Sequence, residues 1–141
     1  MKSVLATILL LTSLHGSAQK PWRLLTKEFD SETYYNISRT EKKGSIISTW
    51  YKIVDSGKRL ADLRSSYAQF PDFGKAATRL HHTLQKMEID CDKMQCRTLQ
   101  IVMYDEKGIA LWSHTYNDAQ WDEVPPDSMG EAQLRKLCSN Y

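Results

Sequence analysis

The chain has 141 residues, with 19 basic and 17 acidic side chains and a formal charge of +2. That length holds one domain. Lys and Arg are scattered rather than clustered, so nucleic acid and anionic membrane surfaces find no footprint in the sequence.

Residues 1–18 have the pattern of a signal peptide. Lys2 is the positive n-region, Val4 to Leu14 the apolar h-region, and Gly16-Ser17-Ala18 a small-residue cleavage site. The apolar run is too short to span a bilayer. Cleavage after Ala18 leaves Gln19 first, with no cysteine there to carry a lipid. The expectation is an exported domain over residues 19–141, not lipid-anchored and with no transmembrane segment, in the periplasm, at the cell surface or secreted.

Trp22 to Leu25 reads as an opening strand, and Thr33 to Ile37 as a second, aromatic and β-branched. Glu41 to Gly44 reads as a turn, with Gly44 available for positive φ. Ser45 to Val54 is a strand with Ile47, Thr49, Tyr51 and Ile53 on one face. Its other face, with Ile46, Trp50 and Val54, is not cleanly polar, so cover on both sides is expected. Leu60, Leu63, Tyr67 and Phe70 recur at helical spacing, which predicts a peripheral helix over Lys58 to Gln69 that stops before Pro71.

Arg79 to Asp90, Cys96 to Tyr104 and Ile109 to Thr115 then read as three strands. The turns Asp92–Gln95 and Asp105–Gly108 join them into an antiparallel meander. Pro125 and Pro126 hold the chain extended before the last element. Ser128 stands three residues before Glu131, the spacing of a capping box. Gly130, Leu134, Leu137, Cys138 and Tyr141 share one helical face, while Gln133, Arg135 and Lys136 lie off it. A helix of about three turns is marginal alone, so it must be docked. The fold class is α+β: a single antiparallel sheet of about six strands, with the C-terminal helix packed on one face.

Export makes a disulfide the default for Cys91, Cys96 and Cys138, and the odd number leaves one thiol over. Cys91–Cys138 would tie the last helix to a strand and close the longer loop, worth about 4 kcal/mol in the loop-entropy account. Cys91–Cys96 across the tight turn is also open and constrains little. The first pairing is preferred on that ground.

The candidates for chemistry are sparse. A helix cap accounts for both Ser128 and Glu131. His81 and His82, read as strand neighbours, should point to opposite faces and share no metal. Cys91-x4-Cys96 is a loose spacing for zinc, and export favours oxidation. Asp90 reads as a structural carboxylate, and Cys96 as an inert thiol with no base placed beside it by any local signature. Asn36-Ile37-Ser38 is a glycosylation sequon only where the machinery exists. Trp22, Trp50, Trp112 and Trp121 read as packed residues before they read as an exposed platform. No catalytic set, cofactor motif or metal cluster emerges.

Taken together, Glu88-Ile89-Asp90-Cys91, Arg97-Thr98-Leu99 and the tail carry a family pattern. That tail is Trp121-x-x-Val124-x-Pro126-x-Ser128-x-x-Glu131-x-x-Leu134-x-x-x-Cys138. With Trp50 and Tyr34-Tyr35, these residues resemble the surface-adhesin protein E family. The resemblance implies a bacterial envelope protein with a six-stranded antiparallel sheet, its C-terminal helix tethered through Cys91–Cys138. It also implies, for some relatives, adhesion to host matrix and serum proteins, and homodimers. Cys96 is extra to the family pattern, and the lipid-anchoring cysteine of the best-known adhesin is missing.

Three functions follow as expectations. The first is a non-enzymatic protein-binding module, an adhesin in one version, whose contact region would be Lys42, Lys43 and the Arg59–Phe73 excursion. The second is a periplasmic structural, stress-related or inhibitor-type protein with an endogenous partner. The third, a hydrolase or redox enzyme, would need His82, His114, Asp90 or Cys96 gathered in one pocket.

Overall fold

In the computed structural model, residues 21–141 are described; the expected signal peptide lies outside them. Two antiparallel strands open the fold, β1 (Trp22–Glu28) and β2 (Ser31–Asn36). A short edge strand β3 (Glu41–Lys43) turns through Gly44, at φ 61°, into the long strand β4 (Ile46–Asp55). Helix α1 (Gly57–Tyr67) and a 3-10 turn (Gly74–Arg79) follow. The meander is β5 (His82–Asp90), β6 (Gln95–Tyr104) and β7 (Ala110–Thr115); β8 (Asp122–Glu123) and helix α2 (Met129–Ser139) close the chain.

The main sheet order is β1-β2-β4-β5-β6-β7, every pairing antiparallel, with β3 beside β4 and β8 beside β6. The six strands of the main path are those expected; β3 and β8 are short additions. Three expectations shift locally. The Glu41–Lys43 part of the expected turn pairs with Ser48–Ile46 as a strand. The extended stretch from Arg79 begins at His82, because a 3-10 turn occupies Gly74–Arg79. The helix begins at Gly57, one residue earlier than read, and ends at Tyr67.

Side chains two apart share a sheet face, and the register says which faces coincide. Tyr35 lies opposite Tyr51, Thr49 opposite Met87, and Ile47 opposite Ile89. Tyr35, Tyr51, Met87, Ile47 and Ile89 form one buried cluster with Leu25, Leu134 and Leu137, and Thr49 is buried among the strands. Burying each leucine of α2 stabilises by about 1.5–3 kcal/mol. Farther along the same face, Met103 joins Phe73, Ala77 and Leu80, with Leu60, Leu63 and Trp112 packed against them. Both clusters therefore sit on one face: α2 covers one part, and α1 with the 3-10 turn covers the other.

Four devices fix α2. Ser128 accepts from the Glu131 N–H at 3.1 Å. The Glu131 carboxylate accepts from the Asp127 N–H at 2.7 Å, one residue before the cap, where Asp127 has φ 58°. Gly130 lies against Val124, whose methyl would be 3.2 Å from any added Cβ. Cys138 is disulfide-bonded to Cys91, with Cα atoms 5.8 Å apart. From the helix flanks, Gln133 donates to Thr26 at 3.0 Å and Lys136 to the Leu25 carbonyl, tying α2 to β1.

Candidate binding surface

The opposite face of the sheet is covered by neither α-helix nor the 3-10 turn. The register places Trp22 beside Asn36, Leu24 and Lys52 on either side of Tyr34, Trp50 beside Lys86, and Lys52 beside Leu84. Tyr104 and His82 pair at its far side, their rings stacked at 5.2 Å. β4 is thus buried on its Ile47–Tyr51 side alone, and the expected second cover is missing. A strand's periodicity says which side chains share a face; what lies over that face depends on where the helices dock.

A groove of about 410 Å³ crosses this face, lined by Trp22, Asn36, Arg39, Trp50, Leu84 and Tyr104 among others. The Lys52 ammonium lies 5.8 Å from the Trp22 ring centroid, within reach of a cation–π attraction. Glu32, by contrast, is held by Lys27 at 2.6 Å and by the Tyr34 hydroxyl, which together keep its carboxyl below the usual range. Glu88 is clasped by Arg97 at 2.6 Å, and Arg97 lies 4.6 Å from the Trp121 ring. Among the described residues, Lys52 and Lys86 make no ion pair. The face therefore offers aromatic rings and two ammonium groups without ion pairs, while Glu32 and Glu88 are already engaged.

The tryptophans thus separate. Trp112 packs against the Phe73 cluster, and Trp121 carries Arg97, as packing residues should. Trp22 and Trp50 line the open groove instead.

Lys42, Lys43 and Arg59 do not come together. Lys42 and Lys43 pair opposite Ile47 and Ile46, at the start of β4, and Arg59 follows its end. The ten residues of β4 separate them by about 30 Å. Lys42 donates to the Tyr141 carbonyl at 3.0 Å. Arg59 lies 2.8 Å from Asp55 and 3.4 Å from Glu28; the Asp55 contact is an ion pair whose angle is too poor for a hydrogen bond. The Arg59–Phe73 excursion forms α1 and one wall of an apolar notch of about 250 Å³, where Tyr67, Phe70, Phe73, Met103 and Trp112 meet.

The residues an enzyme would need are dispersed. His82 begins β5 and Asp90 ends it, about 26 Å away along the strand. The Asp90 carboxylate accepts from the Asp92 and Lys93 N–H groups at 3.1 and 3.2 Å, which stitches the hairpin turn. His114 pairs with Ile101 on the helix-covered face, so it and His82 point opposite ways. Cys96 is a free thiol packed on the α2 cluster; burial, then Asp122, pushes its pKa up. That environment opposes a thiolate nucleophile.

One expectation about side-chain direction is overturned. His81 precedes β5 rather than continuing it, and its N–H donates to the Tyr104 carbonyl at 2.8 Å. Strand alternation does not apply there, and the Nδ1 atoms of His81 and His82 lie 3.1 Å apart. Burial first, then the Lys52 ammonium, holds His82 below the usual histidine range.

The family model described as "Surface-adhesin protein E" matches residues 22–139. The chain belongs to the surface-adhesin protein E family. The strand order, the docked helix and the Cys91–Cys138 bridge described above are this family member's fold. Among solved structures, the selenomethionine form of Haemophilus influenzae protein E is similar, with TM-score 0.59 and 15% identity over 87% of this chain and 89% of that one. Its crystal form II gives TM-score 0.57 and 14% identity, covering 87% and 91%. Protein E from non-typeable Haemophilus influenzae gives 0.59 and 15%, covering 89% and 80%. At these identities the likeness is one of fold. No curated protein sequence matches. Among the described residues, no helix of this family member is long and apolar enough to cross a membrane.

Proposed function

We propose that this protein is an exported, non-enzymatic module of the bacterial envelope that binds another protein on the open face of its sheet, as an adhesin for host matrix or serum proteins. The observation that carries the reading is the groove-lining pair Trp22 and Trp50, set beside Lys52 and Lys86. Aromatic anchors in a partly desolvated groove supply most of the energy of protein interfaces. Unpaired ammonium groups at the margin steer an acidic partner toward them. Membership of an adhesin family supports the same reading. Lys43 falls on the same parity at the β3 edge and extends the surface. Lys42 and Arg59 are engaged within the molecule and lie outside the proposed contact.

The test is retention of the purified protein on a panel of immobilised matrix and serum proteins, with Trp50→Ala/Lys86→Glu as the comparison. Saturable retention that this variant loses at least tenfold supports the proposal. Equal retention of both proteins overturns the open-face site, and no retention on any surface together with recovery only from the periplasm overturns the adhesin reading. Capture of one envelope component by the wild type would instead favour an endogenous partner.

A further inference from the structure

Outside the open groove, the most unusual local arrangement is the His81–His82 pair. Consecutive strand residues send their side chains to opposite faces. Here the chain leaves the 3-10 turn through Leu80 at φ −53° and ψ 128°, and His81 is anchored by its backbone N–H rather than by strand pairing. The two rings stand at 90° to one another with their Nδ1 atoms 3.1 Å apart. His82 is held in orientation by the Tyr104 ring, stacked within 12° of its plane.

We propose that His81 and His82 form a two-imidazole binding site for copper(II), with both Nδ1 atoms as ligands. Imidazole nitrogens bind such ions at about 2.0–2.1 Å, so two ligands at square-planar or tetrahedral angles lie about 2.8–3.4 Å apart. The observed separation falls inside that interval. In the metal-free pair, one Nδ1 donates its proton to the other. Moving that proton to Nε2 of the same ring frees both Nδ1 lone pairs, so the ion enters with no further reactant and no net proton release.

The surroundings select the class of ion. His81 opens onto a hollow of about 320 Å³ that it shares with Arg79, Glu106 and Lys107, which leaves room for water as the remaining ligands. Asp105 does not serve: one oxygen accepts from the N–H groups of Lys107 and Ile109, and the other faces Arg79 at 3.6 Å. The cations Arg79, Lys107 and Lys52 disfavour any ion held by charge alone, which excludes calcium and magnesium. Copper(II) stands at the top of the divalent affinity order for nitrogen donors.

The experiment is a titration of untagged full-length protein with copper(II), followed by calorimetry and by electron paramagnetic resonance. One equivalent should bind, with superhyperfine splitting from two nitrogens. His81→Ala and His82→Ala should each weaken binding at least tenfold, with unchanged near-ultraviolet circular dichroism showing that the fold survives. His15→Ala and His114→Ala should bind as the wild type does. Paramagnetic broadening in nuclear magnetic resonance spectra of the wild type, which needs no variant, should centre on the His81 and His82 rings. Broadening centred elsewhere, loss of binding in His15→Ala or His114→Ala, or no binding at 100-fold excess of copper overturns the proposal.

Discussion

Cys138, on the buried side of α2, is bonded to Cys91 at the end of β5 across 47 residues of sequence. The bridge joins the last element to the middle of the sheet, and Leu134 and Leu137 are buried beside it. Replacing Cys91 and Cys138 together by Ala should lower unfolding stability by about 3–4 kcal/mol, the loop-entropy cost of releasing the denatured chain. Urea titration of the oxidised wild type and the double variant measures it. A loss below about 1 kcal/mol would mean that packing alone holds α2.

The cap of α2 makes a second prediction, with a pH dependence. Ser128→Ala should cost about 1 kcal/mol, the usual value of a lost N-cap. Arg135 first, then the Asp127 N–H, holds the Glu131 carboxyl below the ordinary glutamate range. A carboxylate depressed in the folded state stabilises above its unfolded pKa, and that stability is lost as pH falls through the folded value. The stability gap between wild type and Glu131→Gln should therefore be full at pH 6 and close as pH falls below 4. Denaturation midpoints across that range check the sign.

Much of this was legible from residue types alone. The turns Asp92–Gln95 and Asp105–Gly108 mark the meander, and the Leu134–Leu137–Cys138 stripe marks the docked helix. Glu41–Lys43 hid its strand because charged residues on a sheet edge look like a turn; pairing with β4 makes it a strand. The open face was hidden for another reason. Trp50, Ile46 and Val54 looked apolar enough to be covered, yet both α-helices dock on the opposite side. The His81–His82 contact depends on where β5 begins, a boundary that periodicity does not fix.

Tyr51 supplies a prediction about a buried polar atom. Its hydroxyl is buried with no hydrogen-bond partner among the described residues, and burial raises its pKa far above the ordinary tyrosine value. An unsatisfied buried hydroxyl costs desolvation without return. Tyr51→Phe should leave stability unchanged or raise it by up to about 1 kcal/mol. A loss above 1 kcal/mol in thermal or urea unfolding would show that the hydroxyl has a partner in solution.

Cys96 should behave as a packed side chain. With its thiol pKa raised by burial, alkylation by iodoacetamide at pH 7.5 should run at least tenfold slower in the native protein than in denaturant. Mass mapping of time points gives both rates. Equal rates would place the thiol in open solvent.

The central claim is that the open sheet face is what a partner touches. Hydroxyl-radical footprinting of the protein, free and bound to a ligand found by the retention panel, tests it directly. The prediction is protection of Trp22, Tyr34 and Trp50 on binding, with Tyr67 and Phe70 on the helix-covered side unchanged. Protection confined to Tyr67, Phe70 and Phe73, with Trp22 and Trp50 as reactive as before, would contradict it.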